Sequence, residues 1–184
     1  ILPGDTVVVI GAGPIGCMHS QLAKCYGATK IILIDLLDSK LNLVKDIDPQ
    51  LVFVNSSKEN PVKRVLEETA GRGAEKVIVA CSSGRAQQEA LEMVSKGGKV
   101  LFFAGLPENN SFVNLNSNLI HYKELSIFGS FASMLWENKL ALNLIDSGQV
   151  KAKEMINHTF PLSQIVEGIN LVKKGKALKV VITP

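Results

Sequence analysis

The sequence lacks the features that would place it in a membrane, a disulfide scaffold or a repeat array. Its longest apolar runs are strand-sized, which excludes a transmembrane helix. It has three cysteines, Cys17, Cys25 and Cys81, an odd number without paired spacing that indicates a reducing compartment. There is no low-complexity segment, no short-period repeat and no charged-then-apolar leader. We therefore expect a cytoplasmic protein without a signal peptide.

An excess of one charge is also missing. The 20 Lys and Arg residues and the 17 Asp and Glu residues are interspersed and leave a formal net charge of +3. Such a surface favours neither nucleic acid nor a membrane as a partner. The length of 184 residues, 46% of them hydrophobic, fits one globular domain or one and part of a second.

The sequence does contain a regular alternation of strand and helix patterns. Six near-continuous apolar runs are typical of strands buried on both faces: 6–10, 30–35, 51–54, 76–80, 99–104 and 125–130. Amphipathic helical stretches separate them. The first has an apolar stripe of Ile15, Met18, Leu22 and Cys25, and the fourth, residues 84–98, is expected to end at its glycine pair. Because a helix separates each strand from the next, we expect the strands to pair in parallel through right-handed crossovers. The predicted fold is α/β, a doubly wound six-stranded parallel sheet of Rossmann type in the order 3-2-1-4-5-6.

The stretch VVVIGAGPIG, residues 7–16, joins the first strand to the first helix through the spacing G-x-G-x-x-G. In this context the pattern predicts a dinucleotide-binding turn, whereas elsewhere it would be weak. Gly11 permits the tight turn, Gly13 lets a pyrophosphate approach the backbone, and Gly16 lets the helix pack closely on the strand. The helix N-terminus offers unpaired N–H groups to the phosphates.

Asp35 ends the second strand, nineteen positions after Gly16. A carboxylate there can accept hydrogen bonds from the adenosine ribose and repels a 2′-phosphate, so NAD is favoured over NADP. A methyltransferase would add an antiparallel final strand, which the pattern does not predict. A short-chain dehydrogenase would need a Tyr-x-x-x-Lys pair near the nicotinamide, whereas Tyr26 and Lys30 lie on the adenosine side. The alternative to a dinucleotide-binding turn is a glycine-rich turn that is only tight and binds no ligand.

No metal site or catalytic residue is predicted within this chain. Cys17 and Cys25 lie eight residues apart on one helix, which places them two turns apart and too far for one zinc ion. His19, His121 and His158 have no ligand spacing, and His19 is expected on the helix surface.

The strand and helix rhythm changes after Ser130. Helices are predicted over 136–148 and 162–175, and extended pieces over 155–160 and 178–183. In the second helix, Ile165, Ile169 and Val172 are expected to face inward. We call residues 132–184 the carboxy-terminal tail and expect it to leave the nucleotide-binding domain.

These motifs resemble the medium-chain zinc-type alcohol and polyol dehydrogenases over essentially the whole chain. PGDTVVVIGAGPIG is similar to the first strand and turn of that family, and KELSIFGSF is similar to its sixth strand. The run INHTFPLSQIVEGINLVKKGKALKVVITP resembles its carboxy-terminal end. GAGPIG and GSFAS are most similar to the sorbitol (L-iditol) and threonine dehydrogenase branch.

The resemblance implies a domain organisation. Residues 1–131 would form the NAD-binding domain, and residues 132–184 would be the return segment of a catalytic, GroES-like domain. The amino-terminal part of that domain, which carries the zinc ligands in the family, would be absent, so we expect a fragment or an excised domain. One side of the tail would then be uncovered, and the candidate side chains are Ile145, Val150, Ile156, Phe160, Val181 and Ile182.

The resemblance also implies which residues contact the cofactor. The pyrophosphate would be held by Gly11, Gly13, Pro14, Ile15 and Gly16, with Lys179 reaching back from the tail. The adenosine ribose would contact Asp35 and Lys40, and the fourth strand would end beside both riboses with Ala80, Cys81 and Ser82. The nicotinamide would meet main-chain groups of Ala104, Gly105, Leu106, Ser130 and Phe131.

The implied activity is hydride transfer from a secondary alcohol or polyol to NAD, with zinc polarising the alcohol oxygen. A sorbitol (L-iditol) substrate is expected, and a threonine dehydrogenase-like enzyme is one alternative. A non-catalytic, stand-alone NAD-binding module is the other. The full-length protein is expected to form homo-oligomers, as a dimer or tetramer, and this chain alone is expected to be inactive.

Overall fold

In the computed structural model, which describes all 184 residues, the chain alternates strands and helices as far as its sixth strand. The elements are β1 (Thr6–Ile10), α1 (Pro14–Cys25), β2 (Lys30–Asp35), α2 (Asp38–Ile47), β3 (Val52–Asn55), α3 (Pro61–Glu68), β4 (Ala74–Val79), α4 (Gly84–Met93), β5 (Val94–Phe102), α5 (Ser117–Tyr122), β6 (Ser126–Gly129), α6 (Leu135–Asp146), β7 (Ile156–Pro161), α7 (Ile165–Lys173) and β8 (Lys179–Thr183). No helix combines the length and the apolar character that crossing a membrane would need.

Six of the strands form one parallel sheet in the order β3-β2-β1-β4-β5-β6, which confirms the predicted topology. Alternate side chains of β1 enter different cores. Val7 and Val9 pack in the core that includes α1 and α2, whereas Val8 and Ile10 pack in the core that includes α3 and α4. Since both faces of the sheet are covered, its central strands read as unbroken apolar runs.

The buried face of α1 differs from the predicted one. Ile15 and Cys25 are exposed, and the buried residues are Gly16, Cys17, Ser20, Gln21 and Ala23. At Gly16 the helix lies so close to the turn after β1 that no side chain fits, whereas the Gln21 side chain is covered by the tail. His19, which is expected on the helix surface, is half-buried. Its ring meets the Phe103 ring edge-on with centroids 4.5 Å apart, and burial lowers the pKa of His19.

The junction between α4 and β5 also differs from the prediction, since α4 ends at Met93 and β5 begins at once at Val94. The Lys123 ammonium donates to the carbonyls of Leu91, Glu92 and Val94 at 3.1, 3.1 and 3.0 Å. A cation that takes the last carbonyls of a helix favours termination there, before the glycine pair that the sequence suggests.

The tail forms a small unit of its own. Strands β7 and β8 pair in parallel as a separate two-stranded sheet, and α7 packs on it at Gly168, where an added Cβ would lie 2.9 Å from Val180 Cγ1. The expectation that Ile165, Ile169 and Val172 face inward is wrong, because all three are exposed.

The tail touches the larger unit through a few side chains. Val150, Met155 and Leu178 are buried, and the last two belong to the core that includes α1 and α2. The Lys151 N–H donates to Gln21 Oε1 at 2.6 Å. Val150 is therefore wrongly placed among the uncovered tail residues, whereas Ile145 and Ile156 are exposed.

Candidate cofactor-binding site

The carboxyl ends of the central strands lie at one edge of the sheet. The register pairs Ile10 with both Ile34 and Val79, Val79 with Phe102, and Phe102 with Gly129. The loops that follow β1, β2, β4, β5 and β6 therefore leave the sheet side by side. The strand order reverses between β1 and β4, which is where open α/β sheets form a ligand-binding crevice.

The glycine-rich turn that leaves β1 has the geometry its spacing predicts. Gly11 has φ +111°, a conformation that side chains other than glycine rarely adopt. A Cβ on Gly16 would lie 1.7 Å from the Gly11 carbonyl oxygen, so no larger residue fits between α1 and β1. Around Gly13 the space is open, with no atom within 4 Å of an added Cβ.

The N-terminus of α1 presents free backbone donors toward this open space. Cys17 is the first residue of α1 whose N–H bonds within the helix, to the Gly13 carbonyl at 2.9 Å. Pro14 has no N–H, so the amides of Ile15 and Gly16 remain for a ligand. Such amides at a helix N-terminus favour an anion.

Asp35, the last residue of β2, contacts two loops through one carboxylate. Oδ2 accepts the Ala12 N–H at 2.8 Å, and Oδ1 accepts the Leu37 N–H at 3.0 Å. Each carboxylate oxygen can accept a second hydrogen bond, so the group can still bind a hydroxyl.

A cavity of about 320 Å³ joins the ends of β1, β2 and β4. It brings together five of the predicted site residues, namely Gly11, Asp35, Lys40, Cys81 and Ser82. Sequence reasoning missed further lining residues: Leu36, Ser56, Arg85 and Glu89. Arg85 Nε donates to Glu89 Oε1 at 2.7 Å along one face of α4. The helical spacing of this ion pair was readable in the sequence, but its position at the cavity was not.

Cys81 lies at this cavity in surroundings that disfavour its thiolate form. Burial raises the pKa of Cys81, and the charges of Asp35 and Glu89 raise it further, while Lys40 opposes them. A protonated sulfur suits a neutral wall of a binding pocket.

The other predicted residues lie along the same edge but outside the cavity. The Ala80 N–H donates to the Ile10 carbonyl at 2.8 Å, and the Ala104 N–H donates to the Val79 carbonyl at 3.1 Å. Gly105 has open space around it. Ser130 and Phe131 follow β6, and the Phe131 side chain is 100% exposed.

Lys179 is the one predicted residue that lies on the tail sheet, where it begins β8. It is not among the residues that line the cavity. The tail approaches the site at Gly175 instead, where an added Cβ would lie 3.0 Å from Leu37 Cδ1 and 3.5 Å from Lys40 Cε. The sequence marks Gly175 only as the end of a helix.

No three His, Cys, Asp or Glu side chains lie close enough together to hold a metal ion. Cys17 is buried and Cys25 exposed, on the same helix.

A six-stranded parallel sheet with a glycine-rich turn and a strand-end carboxylate at its switch point defines a Rossmann-type α/β protein. The family model described as "Zinc-binding dehydrogenase" matches residues 14–147, more than half of the chain, and the chain belongs to that family. This confirms the resemblance seen in the sequence.

The curated relatives include dehydrogenases of different substrates. An L-threonine 3-dehydrogenase of Bacillus licheniformis is 31% identical over 98% of this chain and 52% of its own length. A sorbitol dehydrogenase of Bombyx mori is 32% identical over 97% of this chain and 51% of its own length. The chain spans about half the length of the curated relatives it matches.

Among solved structures, a short chain alcohol dehydrogenase of Escherichia coli CFT073 in complex with NADH matches with a TM-score of 0.87. It is 26% identical, and the match covers 100% of this chain and 53% of that one.

Proposed function

We propose that this chain is the NAD-binding part of a zinc-dependent medium-chain alcohol or polyol dehydrogenase. The observation that carries the proposal is the Asp35 carboxylate, which lines one cavity together with the glycine-rich turn. Membership of the zinc-binding dehydrogenase family and the NADH bound by a structural neighbour support it.

Within the proposal, the diphosphate lies on the open face of Gly13. The free amides of Ile15 and Gly16 donate to it, and Pro14 fixes the start of the helix. The adenosine ribose donates its hydroxyls to Asp35, with Lys40 beside it, and the adenosine fills the cavity of about 320 Å³ against Cys81 and Ser82.

The nicotinamide half lies further along the same edge of the sheet. Main-chain groups there would orient the ring, in the loops after β4, β5 and β6: Ala80, Ala104, Gly105, Leu106, Ser130 and Phe131. The open space at Gly105 and the exposure of Phe131 are consistent with surfaces that a ligand covers. Lys179, at the start of β8, does not line the cavity, and its proposed contact is with the diphosphate outside it.

The chemistry that NAD supplies when bound is acceptance of a hydride. The residues of this chain bind and orient the dinucleotide and exclude water from its adenosine end. Activation of the alcohol by zinc would need ligands beyond those of this chain, in which no three His, Cys, Asp or Glu side chains lie close enough to hold a metal ion.

We also propose that residues 1–131 form the NAD-binding domain and residues 132–184 the return segment of a GroES-like catalytic domain. The separate β7–β8 sheet and the length of the relatives support this division. The longer protein would be a cytoplasmic homo-oligomer that acts on a small alcohol. The proposed substrate is a sorbitol-like polyol, with a threonine-like amino alcohol as the alternative, and relatives of the two kinds are 32% and 31% identical to this chain.

The test is calorimetric titration of the 184-residue chain with NAD and with NADP. NAD should bind at least about tenfold more tightly, since Asp35 repels a 2′-phosphate. Asp35→Ala should narrow the ratio. Equal affinities in the unaltered chain would contradict the NAD assignment.

A further inference from the structure

The end of β2 is the point on which three loops of the site converge. The Gly11 N–H donates to the Ile34 carbonyl at 2.7 Å and extends the β1–β2 ladder by one bond. The next amide along the turn, Ala12 N–H, donates to the Asp35 carboxylate, and so does the Leu37 N–H. The Asp35 carbonyl accepts the Ser56 N–H at 3.0 Å from the loop after β3.

The bond from Ala12 is the one that the turn depends on. Ala12 is fully buried, so its N–H depends on the acceptor that the fold supplies. Its acceptor is an ionised side chain 23 residues away, not the backbone of the turn itself. A hydrogen bond to a carboxylate is stronger than one between neutral groups, which suits it to hold a loop in one conformation.

We propose that Asp35 is a positioning residue for the diphosphate, in addition to being the ribose acceptor. Through Ala12 it fixes the turn that presents the free amides of Ile15 and Gly16. This inference rests on the proposed dinucleotide function. It extends that function because it makes diphosphate binding depend on a residue that does not touch the diphosphate.

For removal of the Asp35 carboxylate, electrostatics alone and the positioning role predict opposite changes in diphosphate affinity. If Asp35 acts only on the ribose, removal of its negative charge strengthens binding of an anion nearby or leaves it unchanged. If Asp35 holds the turn, its removal weakens that binding. A probe that carries a diphosphate but no ribose hydroxyls separates the two roles, and 2′,3′-dideoxyadenosine diphosphate is such a probe.

The experiment titrates this probe and NAD into the full chain and into three variants by calorimetry. Asp35→Ala removes both acceptors, and Asp35→Asn keeps one of the two oxygens, at the position that faces either Ala12 or Leu37. Asp38→Asn is the matched control, because it removes the same charge three residues away. The Asp38 carboxylate contacts Asn55 Nδ2 and Lys58 Nζ, not the turn.

We expect Asp35→Ala to weaken probe binding by about tenfold or more, Asp35→Asn by less, and Asp38→Asn by under about twofold. Equal or tighter probe binding by Asp35→Ala would overturn the positioning role. Tight NAD binding by the unaltered chain would leave the proposed function standing in that case. An unaltered chain that binds neither ligand would refute the proposed function instead.

Hydrogen exchange of the Ala12 amide tests the same contact without any ligand. In the folded Asp35→Ala variant, which has no side-chain acceptor, exchange at Ala12 should quicken by about tenfold or more, while the Asp38→Asn variant keeps the rate of the unaltered chain. Unchanged protection at Ala12 in Asp35→Ala would overturn the inference.

Discussion

Replacing Gly16 with alanine tests the close approach of α1 to β1. The added Cβ would lie 1.7 Å from the Gly11 carbonyl oxygen and 2.9 Å from its carbon. Both are backbone atoms at the centre of the turn, so no side chain can rotate away to relieve the contact. The helix must move off the strand, or the turn must change shape.

The magnitude follows from this geometry. Overpacking a core by one methyl group typically costs about 1–3 kcal/mol, and a backbone contact this short places Gly16→Ala at the upper end or beyond, about 3 kcal/mol. For a chain of this size that corresponds to a fall in melting temperature of roughly 6–12 °C. The matched control is Gly13→Ala, because Gly13 has φ −77° and open space around it. Its stability should change by under about 1 kcal/mol.

The assay combines urea unfolding, followed by circular dichroism, with NAD titration. Gly16→Ala should lose stability, whereas Gly13→Ala should keep its stability and lose NAD affinity because its methyl group occupies the diphosphate face. A Gly16→Ala variant within about 1 kcal/mol of the unaltered chain would refute the close-packing argument.

Three further predictions concern other parts of the chain. Burial lowers the pKa of His19 below its ordinary value of 6.5. The neutral form of His19 therefore stabilises the fold above that pH, and this contribution is lost as the pH falls. Between about pH 7 and about pH 5, the free energy of unfolding should drop more in the unaltered chain than in His19→Gln. Lys123→Met removes the donor to three carbonyls and should cost about 1–3 kcal/mol in urea unfolding, whereas the exposed control Lys96→Met should change stability by under about 0.5 kcal/mol. In limited proteolysis with mass mapping, the first cleavages should fall within the tail, residues 132–184, because α6 has no buried residue. A tail as resistant as residues 1–131 would contradict the proposed domain division.

The sheet could be predicted from the sequence because each central strand is an apolar run and the glycine spacing marks the first crossover. The prediction of which face of α1 is buried fails for a specific reason. An apolar stripe of Ile15, Met18 and Leu22 satisfies the helical period, but the contact at Gly16 brings the backbone so close that Cys17 and Ala23 take the buried positions. The periodicity of apolar residues in the sequence does not reveal how close a helix lies to the sheet.

The residues of the candidate site were also only partly predictable from the sequence. Gly13 and Asp35 are recognisable from the strand ends that precede or carry them. Arg85 and Glu89 reach the cavity from α4, and only the fold brings that helix to the same cavity as the end of β2. The Lys123 contacts that end α4 early likewise connect residues about thirty positions apart, which no local pattern records.

The central claim is that NAD binds across the switch point of the sheet, and a ¹⁵N NMR titration of the chain with NAD tests it most directly. The largest shifts should fall on the amides of Gly11, Gly13, Ile15 and Gly16, followed by those of Cys81 and Gly105 at the ends of β4 and β5. The control region is the polar cavity of about 530 Å³ lined by Lys24, Asp48 and Lys151, at the opposite end of α1. Shifts confined to that region, or absent at saturating NAD, would contradict the account.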